Sequence, residues 1–470
     1  MIYEFLLLMK HELLLCGLLF AVLILKISES NDQNRNWTLI INILLTLNFV
    51  AGFFFNSSGE LFNGMFKTND LLQLEKNILN LGLLIVSLQA YPWIKTHRHL
   101  PEFYMLILST LTGMFFMISS GHMLLFYIGL ELSTIPMAAL ANFNLNKRQS
   151  SEAGMKMIMS SAFSSALLLM GISLLYGTTG ALSFSEISTS LTGSPLQLFS
   201  FVLLFTGFAF KLSVVPFHFW TADVYEGAPI PVTAYLSVVS KAAVAFVFVS
   251  VLYHVFGGLS TTWYFLLFLT AVLTIGIGNL FAIRQQNIKR FLAFSSIAQV
   301  GFILIGISAG SQEGEASVIY FLLIYLFSNL GAFGVANIIS TATGKENIDD
   351  YKGLYKTNPA LSWILTISLF SLAGVPPTAG FFGKLFLLTA GASTGNYILA
   401  GFASINMVIS MYYYLRLVKA MFMDPNETPI ASLTMNRVPG IALVICLVGI
   451  LVTGFYGGIY SFIHTLSSGI

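Results

Sequence analysis

The sequence predicts an all-α polytopic membrane protein with about fourteen transmembrane helices, and three observations predict it. Hydrophobic residues make up 56% of the 470 and charged residues only 9%, against roughly 25% charged in soluble domains. Apolar runs of about twenty residues, the length that spans a bilayer, follow one another along nearly the whole chain. No hydrophilic stretch is long enough to fold as a separate soluble domain.

Apolar runs separated by polar or Gly/Pro turns place the helices at 12–27, 37–55, 77–94, 102–120, 122–143, 153–177, 196–221, 230–256, 261–283, 288–309, 315–341, 359–391, 396–422 and 438–465. The first run follows Lys10 and His11, as the apolar part of a signal peptide would. Lys26 ends it where a small-residue cleavage site would be needed, so it reads as a retained helix. The longest outside loop, Ser57 to Lys76, carries Asn63-Gly64 and Asn69-Asp70 and predicts a hairpin or a surface-lying segment. The run at 359–391 is too long for one straight span, and Pro376-Pro377 interrupts it.

Loop charges set the orientation. Of the 22 lysines and arginines, fifteen fall in one set of alternate loops, from Lys26 and Arg35 through Arg290 to Lys419 and Arg437. The other set holds Lys10, Lys67 and Lys76, and four lysines lie within spans. The split places both termini on the non-cytoplasmic side. The breaks at Pro216 and Pro376-Pro377 lie about 160 residues apart, and Phe163-Ser164 and Phe327-Ser328 recur at a similar offset. We therefore expect two inverted five-helix repeats, 102–256 and 261–422, each with one broken helix. A three-helix segment, 1–101, precedes them and 423–470 supplies a last helix.

Composition also excludes. A net charge of +2 with no basic patch gives no reason to expect nucleic acid, and Cys16 and Cys446, both in apolar runs, offer neither metal spacing nor a disulfide. No GxGxxG lies in a soluble βαβ context. No cofactor and no metal is expected in this chain.

What remains is charge inside the membrane, where a lysine costs about 3 kcal/mol on insertion scales. Glu131 lies about nine residues into its helix. It either binds two helices together or pairs with Lys211, in which case parting and re-forming the pair would let the lysine release and recapture a proton. Lys156 follows Glu152 by one turn, giving either a surface pair or a site where protons enter. Lys241 is flanked by small and apolar residues, and water lies ~15 Å away along the helix, too far for its stem. Lys384 follows the second break and is expected at or beyond the centre, on the outer side, either handing protons outward or snorkelling. Pro216, Pro376 and Pro377 free backbone carbonyls that need water or protein partners. His218, at the first break, either caps such carbonyls or relays protons between Lys211 and Lys241. His254 and the serines and threonines of the fifth and sixth helices are weaker candidates.

Four stretches, FYIGLELSTIPMAAL, FKLSVVPFHFWTADVYEGAPIPVTAYLSVVSKAA, IKRFLAFSSIAQVGFILIG and LFSLAGVPPTAGFFGKLFLL, resemble the antiporter-like subunits of respiratory complex I (NADH:quinone oxidoreductase), within them the subunit N type. The superfamily also includes subunits of multisubunit cation/proton antiporters and membrane-bound hydrogenases, which give the alternative reading. The resemblance implies a proton path through Glu131 with Lys211 as an ion pair, Lys156 at the uptake side, Lys241 as central relay, Lys384 as exit group and His218 beside them. It also implies that NADH, FMN, iron–sulfur clusters and quinone are bound by other subunits. The partners it implies are related antiporter-like membrane subunits and lipid.

Overall fold

The computed structural model describes residues 2–27, 37–54, 56–95, 97–393, 395 and 397–467. Arg35, one of the loop cations counted above, and Phe55, the last residue of the predicted second helix, lie outside them. Eleven described helices are long and apolar enough to cross a membrane. The remaining predicted segments are Lys10–Ile27, Trp37–Ala51, and a run divided into Pro359–Ala373 and Ala379–Ser393.

Several boundaries move, each for a local reason. The third helix starts at Asp70, because Asn69 accepts from the Leu72 N–H and caps it. Asn69-Asp70 is therefore a helix start, while Asn63-Gly64 does turn a hairpin pairing Gly59–Leu61 with Phe66–Thr68. That hairpin is pinned to the next helix pair by Lys67 N–H to Ser119 O at 2.8 Å and Gly121 N–H to Met65 O at 2.9 Å. A Cβ at Gly121 would stand 2.2 Å from the Gly64 carbonyl, so only glycine fits there. The run predicted at 196–221 is Pro195–Leu212 and Phe219–Gly227, and 438–465 is Arg437–Phe455 and Gly458–Ser467.

Three local features recur between residues 102–256 and 261–422. Their third helices, Arg148–Thr179 and Gln312–Thr343, both end on a left-handed glycine, Gly180 (φ 68°) and Gly344 (φ 71°). The N-caps of their second helices, His122 and Asn287, bridge to Ser183 and Asn347, each three residues past that glycine. The first halves of their broken helices end at left-handed Ser213 and Gly374, followed by cis Val215-Pro216 and cis Pro376-Pro377.

Burial separates a centre from a rim. Ile288–Ser308 is buried almost throughout, as are Ile230–Val255 and Gln312–Thr343. Arg148–Thr179 and Tyr397–Phe422 present Met159, Phe163, Ile405 and Val408 outward, as a face toward lipid or a neighbouring subunit would. Side chains that meet at the centre thus sit on helices with no route to water along their own length.

Candidate functional site

Lys211 is the second-last residue of Pro195–Leu212, half-buried at the first break. Its ammonium donates to the Thr134 hydroxyl. Thr134 gives its own hydrogen to the Leu130 carbonyl at 2.6 Å, leaving oxygen lone pairs to accept. Glu131 lies one turn earlier on the same helix, near enough for its charge to act on Lys211. The expected Glu131–Lys211 ion pair is nevertheless open: among the described residues neither takes part in a salt bridge, and Glu131 Oε1 is buried without a hydrogen-bond partner. A neutral hydroxyl stands where the carboxylate was expected.

The freed backbone at this break is satisfied by side chains. Trp220 Nε1–H donates to Phe210 O at 3.1 Å and the Val215 N–H to Thr274 Oγ1 at 3.0 Å, while a side-chain bond, Thr221 Oγ1–H to Ser213 Oγ at 2.6 Å, ties the segment after the break to its start. His218 is buried and lies against Phe219, with ring centroids 4.4 Å apart. The Pro216 backbone lies beside it, and Nδ1 has no partner. It shares no hydrogen bond with Lys211 or Lys241 among the described residues, whose ammonium groups donate to Thr134 and Ser296 instead.

Lys241 opens the helical turns after a five-residue π segment, Leu236–Ser240, a wide turn often found where a helix carries function. Only 2% exposed, it donates to Ser296 Oγ at 2.7 Å and lies 5.6 Å from the centre of the Tyr225 ring. Ser296 and Gln299 are three apart on Ile288–Ser308 and share a face. Gln299 Nε2–H donates to the Leu372 carbonyl at 2.8 Å, and Lys384 donates to that same oxygen at 2.7 Å and to Ala373 O at 3.2 Å. Leu372 and Ala373 end the first half of the second broken helix. Lys384 is therefore not a snorkelling residue. It is fully buried, and its ammonium turns back to the break, where cations suit a helix C-terminus. The Phe302 ring, 4.7 Å away, supports it from another side.

Lys156 belongs to a larger structure than its pair with Glu152. It binds Glu152 at 2.7 Å and Asp223 at 2.6 Å, Asp223 binds Arg290 at 2.8 Å, and Arg290 binds Glu226 at 2.7 Å. The chain of charges ties Arg148–Thr179 to the segment after the first break and to the start of Ile288–Ser308. Partial burial of Asp223 opposes its charge, but the bonds from Lys156 and Arg290 outweigh that and hold the carboxyl below its usual range.

The structure thus brings Lys241 and Lys384 onto one polar row, Lys211 beside Glu131, and Lys156 into a separate charged cluster. Sequence reasoning missed Ser296, Gln299, Asp223, Glu226 and Arg290, and had Thr134 only among the weaker candidates. Asp223 and Glu226 were visible as the acidic part of the polar turn before Pro231, while Ser296 and Gln299 are neutral residues in an apolar helix.

Broken helices around buried lysines are the architecture of antiporter-like membrane subunits. Residues 120–410 match the family described as NADH:quinone oxidoreductase/Mrp antiporter, transmembrane, and the chain belongs to it. A relative from Phocaeicola vulgatus, NADH-quinone oxidoreductase subunit N, is 47% identical, with 96% of each chain covered. A chain of respiratory complex I from Thermus thermophilus superposes with a TM-score of 0.80 at 27% identity, covering 96% of this chain and 98% of the other. A chain of the membrane-bound sulfane sulfur reductase, an archaeal respiratory complex, gives 0.87 at 26% identity, covering 98% and 97%.

Proposed function

We propose that this chain is the proton-translocating subunit N of an NADH:quinone oxidoreductase, moving protons across the membrane while electrons pass from NADH to quinone in other subunits. The observation that carries it is the row Lys241–Ser296–Gln299–Leu372 O–Lys384. It holds two buried lysines with no carboxylate partner among the described residues. A lysine kept only for packing would be expensive there. One that takes and gives a proton has a reason to stay.

In this reading protons enter near Lys156, whose charge cluster lies at the face rich in lysine and arginine. Glu131 and Lys211 act as a gate: the carboxylate and the ammonium are near but unjoined, so a small movement makes or breaks the pair. Lys241 passes the proton along the row and Lys384 delivers it. His218 lines the first break and would join Lys211 to Lys241 once water or a side-chain rotation fills the gap between them. The matched caps, glycines and breaks of the two halves support two five-helix repeats of opposite orientation between 102–256 and 261–422, with 1–101 and 423–470 flanking them. The charge split supports a bacterial inner membrane location with both termini on the periplasmic side. The exposed apolar rim suits lipid and related antiporter-like subunits. FMN, iron–sulfur clusters and quinone belong to other subunits.

Mild-detergent purification of the tagged chain tests the assignment. Co-purifying NADH:quinone oxidoreductase activity with flavin and iron–sulfur spectra is the expected result. A colourless eluate that exchanges sodium for protons would instead place the chain among the cation/proton antiporters.

A further inference from the structure

A second group of ionisable side chains lies apart from the lysine row. A cavity of about 400 Å³ opens at the hairpin face, its mouth bordered by the exposed Asn69, Ser185 and His254 and its interior lined by Glu75 and Glu315. Both glutamates are 4% exposed, and they come from different helices, Asp70–Ile94 and Gln312–Thr343. Glu315 Oε2 is buried with no hydrogen-bond partner, and Ser467 lies beside the same carboxyl.

The other ionisable groups at and around this cavity are already engaged. Lys76, the neighbour of Glu75, is held 2.6 Å from Glu12, with both side chains fully buried. Lys67 at the lip is held 2.7 Å from Glu60. Lys10, beyond Lys76, donates to Phe54 O at 2.6 Å. His254 is bonded to Ser250 O at 3.0 Å, and Tyr253 donates to Ile307 O at 2.9 Å. The two carboxyls therefore line one cavity, near enough for the charge of Glu315 to act on Glu75, and neither has a salt-bridge partner among the described residues. Two carboxylates in one buried site cannot both ionise cheaply, and such a pair titrates as a unit.

We propose that Glu75 and Glu315 share one proton and exchange it with water at the hairpin face, forming a proton-release site separate from the lysine row. The word release rests on the proton-carrying function proposed above. The shared proton and its sidedness do not, and they can be measured without turnover.

The test uses the whole complex in right-side-out and inverted membrane vesicles, treated at pH 7 with a membrane-impermeant carbodiimide, which adds to a carboxyl that retains its proton. Adducts are mapped by mass spectrometry, with the exposed Glu60 as reference. The expected result is labelling of Glu75 or Glu315 from the right-side-out face, at least about tenfold above inverted vesicles, and fading as the pH rises. Glu75→Gln removes the like charge and should lower Glu315 labelling at pH 7 about tenfold, the factor carried by one pKa unit. Glu315→Gln should do the same to Glu75, and the wild-type sidedness stands if either variant fails to assemble. No adduct at pH 7 from either side, labelling from the inverted side alone, or labelling indifferent to the partner's replacement would overturn the proposal. Failure of the lysine path would leave the labelling unchanged.

Discussion

Replacing Lys241 by methionine separates a proton carrier from a helix-locking charge. The variant loses one charge-assisted hydrogen bond to Ser296, worth about 1.5–3 kcal/mol, and a ring contact with Tyr225, worth about 2 kcal/mol where water is excluded. It also removes the cost of a lysine in the bilayer centre, about 3 kcal/mol. No carboxylate is orphaned, because none pairs with Lys241 among the described residues, so the penalty of about 3–5 kcal/mol for halving a buried ion pair does not arise. The balance is a net loss of only about 0.5–2 kcal/mol, and the complex should assemble. Proton transfer is another matter: a positioned acid–base group contributes roughly 10²–10⁴-fold, so proton flow through this chain should fall at least about 100-fold. Lys241→Arg keeps a charge that cannot be released at any ordinary pH and should fail as badly. The assay is NADH-driven proton uptake in inverted vesicles, with complex content measured on native gels. An assembled Lys241→Met complex with a wild-type proton-to-electron ratio would refute the reasoning.

Three further outcomes are expected. Thr134→Val deletes the acceptor of the Lys211 ammonium; proton uptake should drop several-fold, with Thr134→Ser restoring it, while assembly on native gels stays unchanged. Asp223→Asn breaks the link between Lys156 and Arg290 and should cost about 1 kcal/mol, the scale of partly exposed pairs. The Asp223 carboxyl is held below its usual range, so its contribution is present above that range and is lost as the pH falls through the depressed value. Wild type and Asp223→Asn should accordingly differ in melting temperature at neutral pH and converge in acid. Gly380→Ala would drive a Cβ to 1.7 Å from the Ser371 carbonyl. The second break cannot absorb that without moving a backbone, and the variant should show little assembled complex on a native gel.

Much of the membrane fold could be read from local pattern, because each helix advertises its own apolar run and each break its own prolines. The lysines were equally visible, since a charge in an apolar run stands out from its neighbours. What they touch was not. Ser296 and Gln299 are ordinary helix residues until Ile230–Val255 and Pro359–Ala373 are packed against them, and that contact spans 55 residues in one case and 73 in the other. The Lys156 cluster joins residues 67 apart. The Glu131–Lys211 pair could be inferred from charge alone, yet whether it is closed depends on the reach of one side chain past Thr134. Glu75 was unremarkable in sequence because it stands at the start of a helix whose boundary was placed seven residues too late.

The grip of Lys384 on Leu372 O and Ala373 O also has a mechanical side. A protonated amine there clamps the negative end of Pro359–Ala373 to the helix that follows. Once it gives up its proton the clamp keeps a hydrogen bond but loses its charge, and the joint between the two half-helices slackens. On the proposed path, each passing proton would then be felt as a change of stiffness in the Val375–Thr378 elbow, and Lys384 would tell the backbone whether the proton is there.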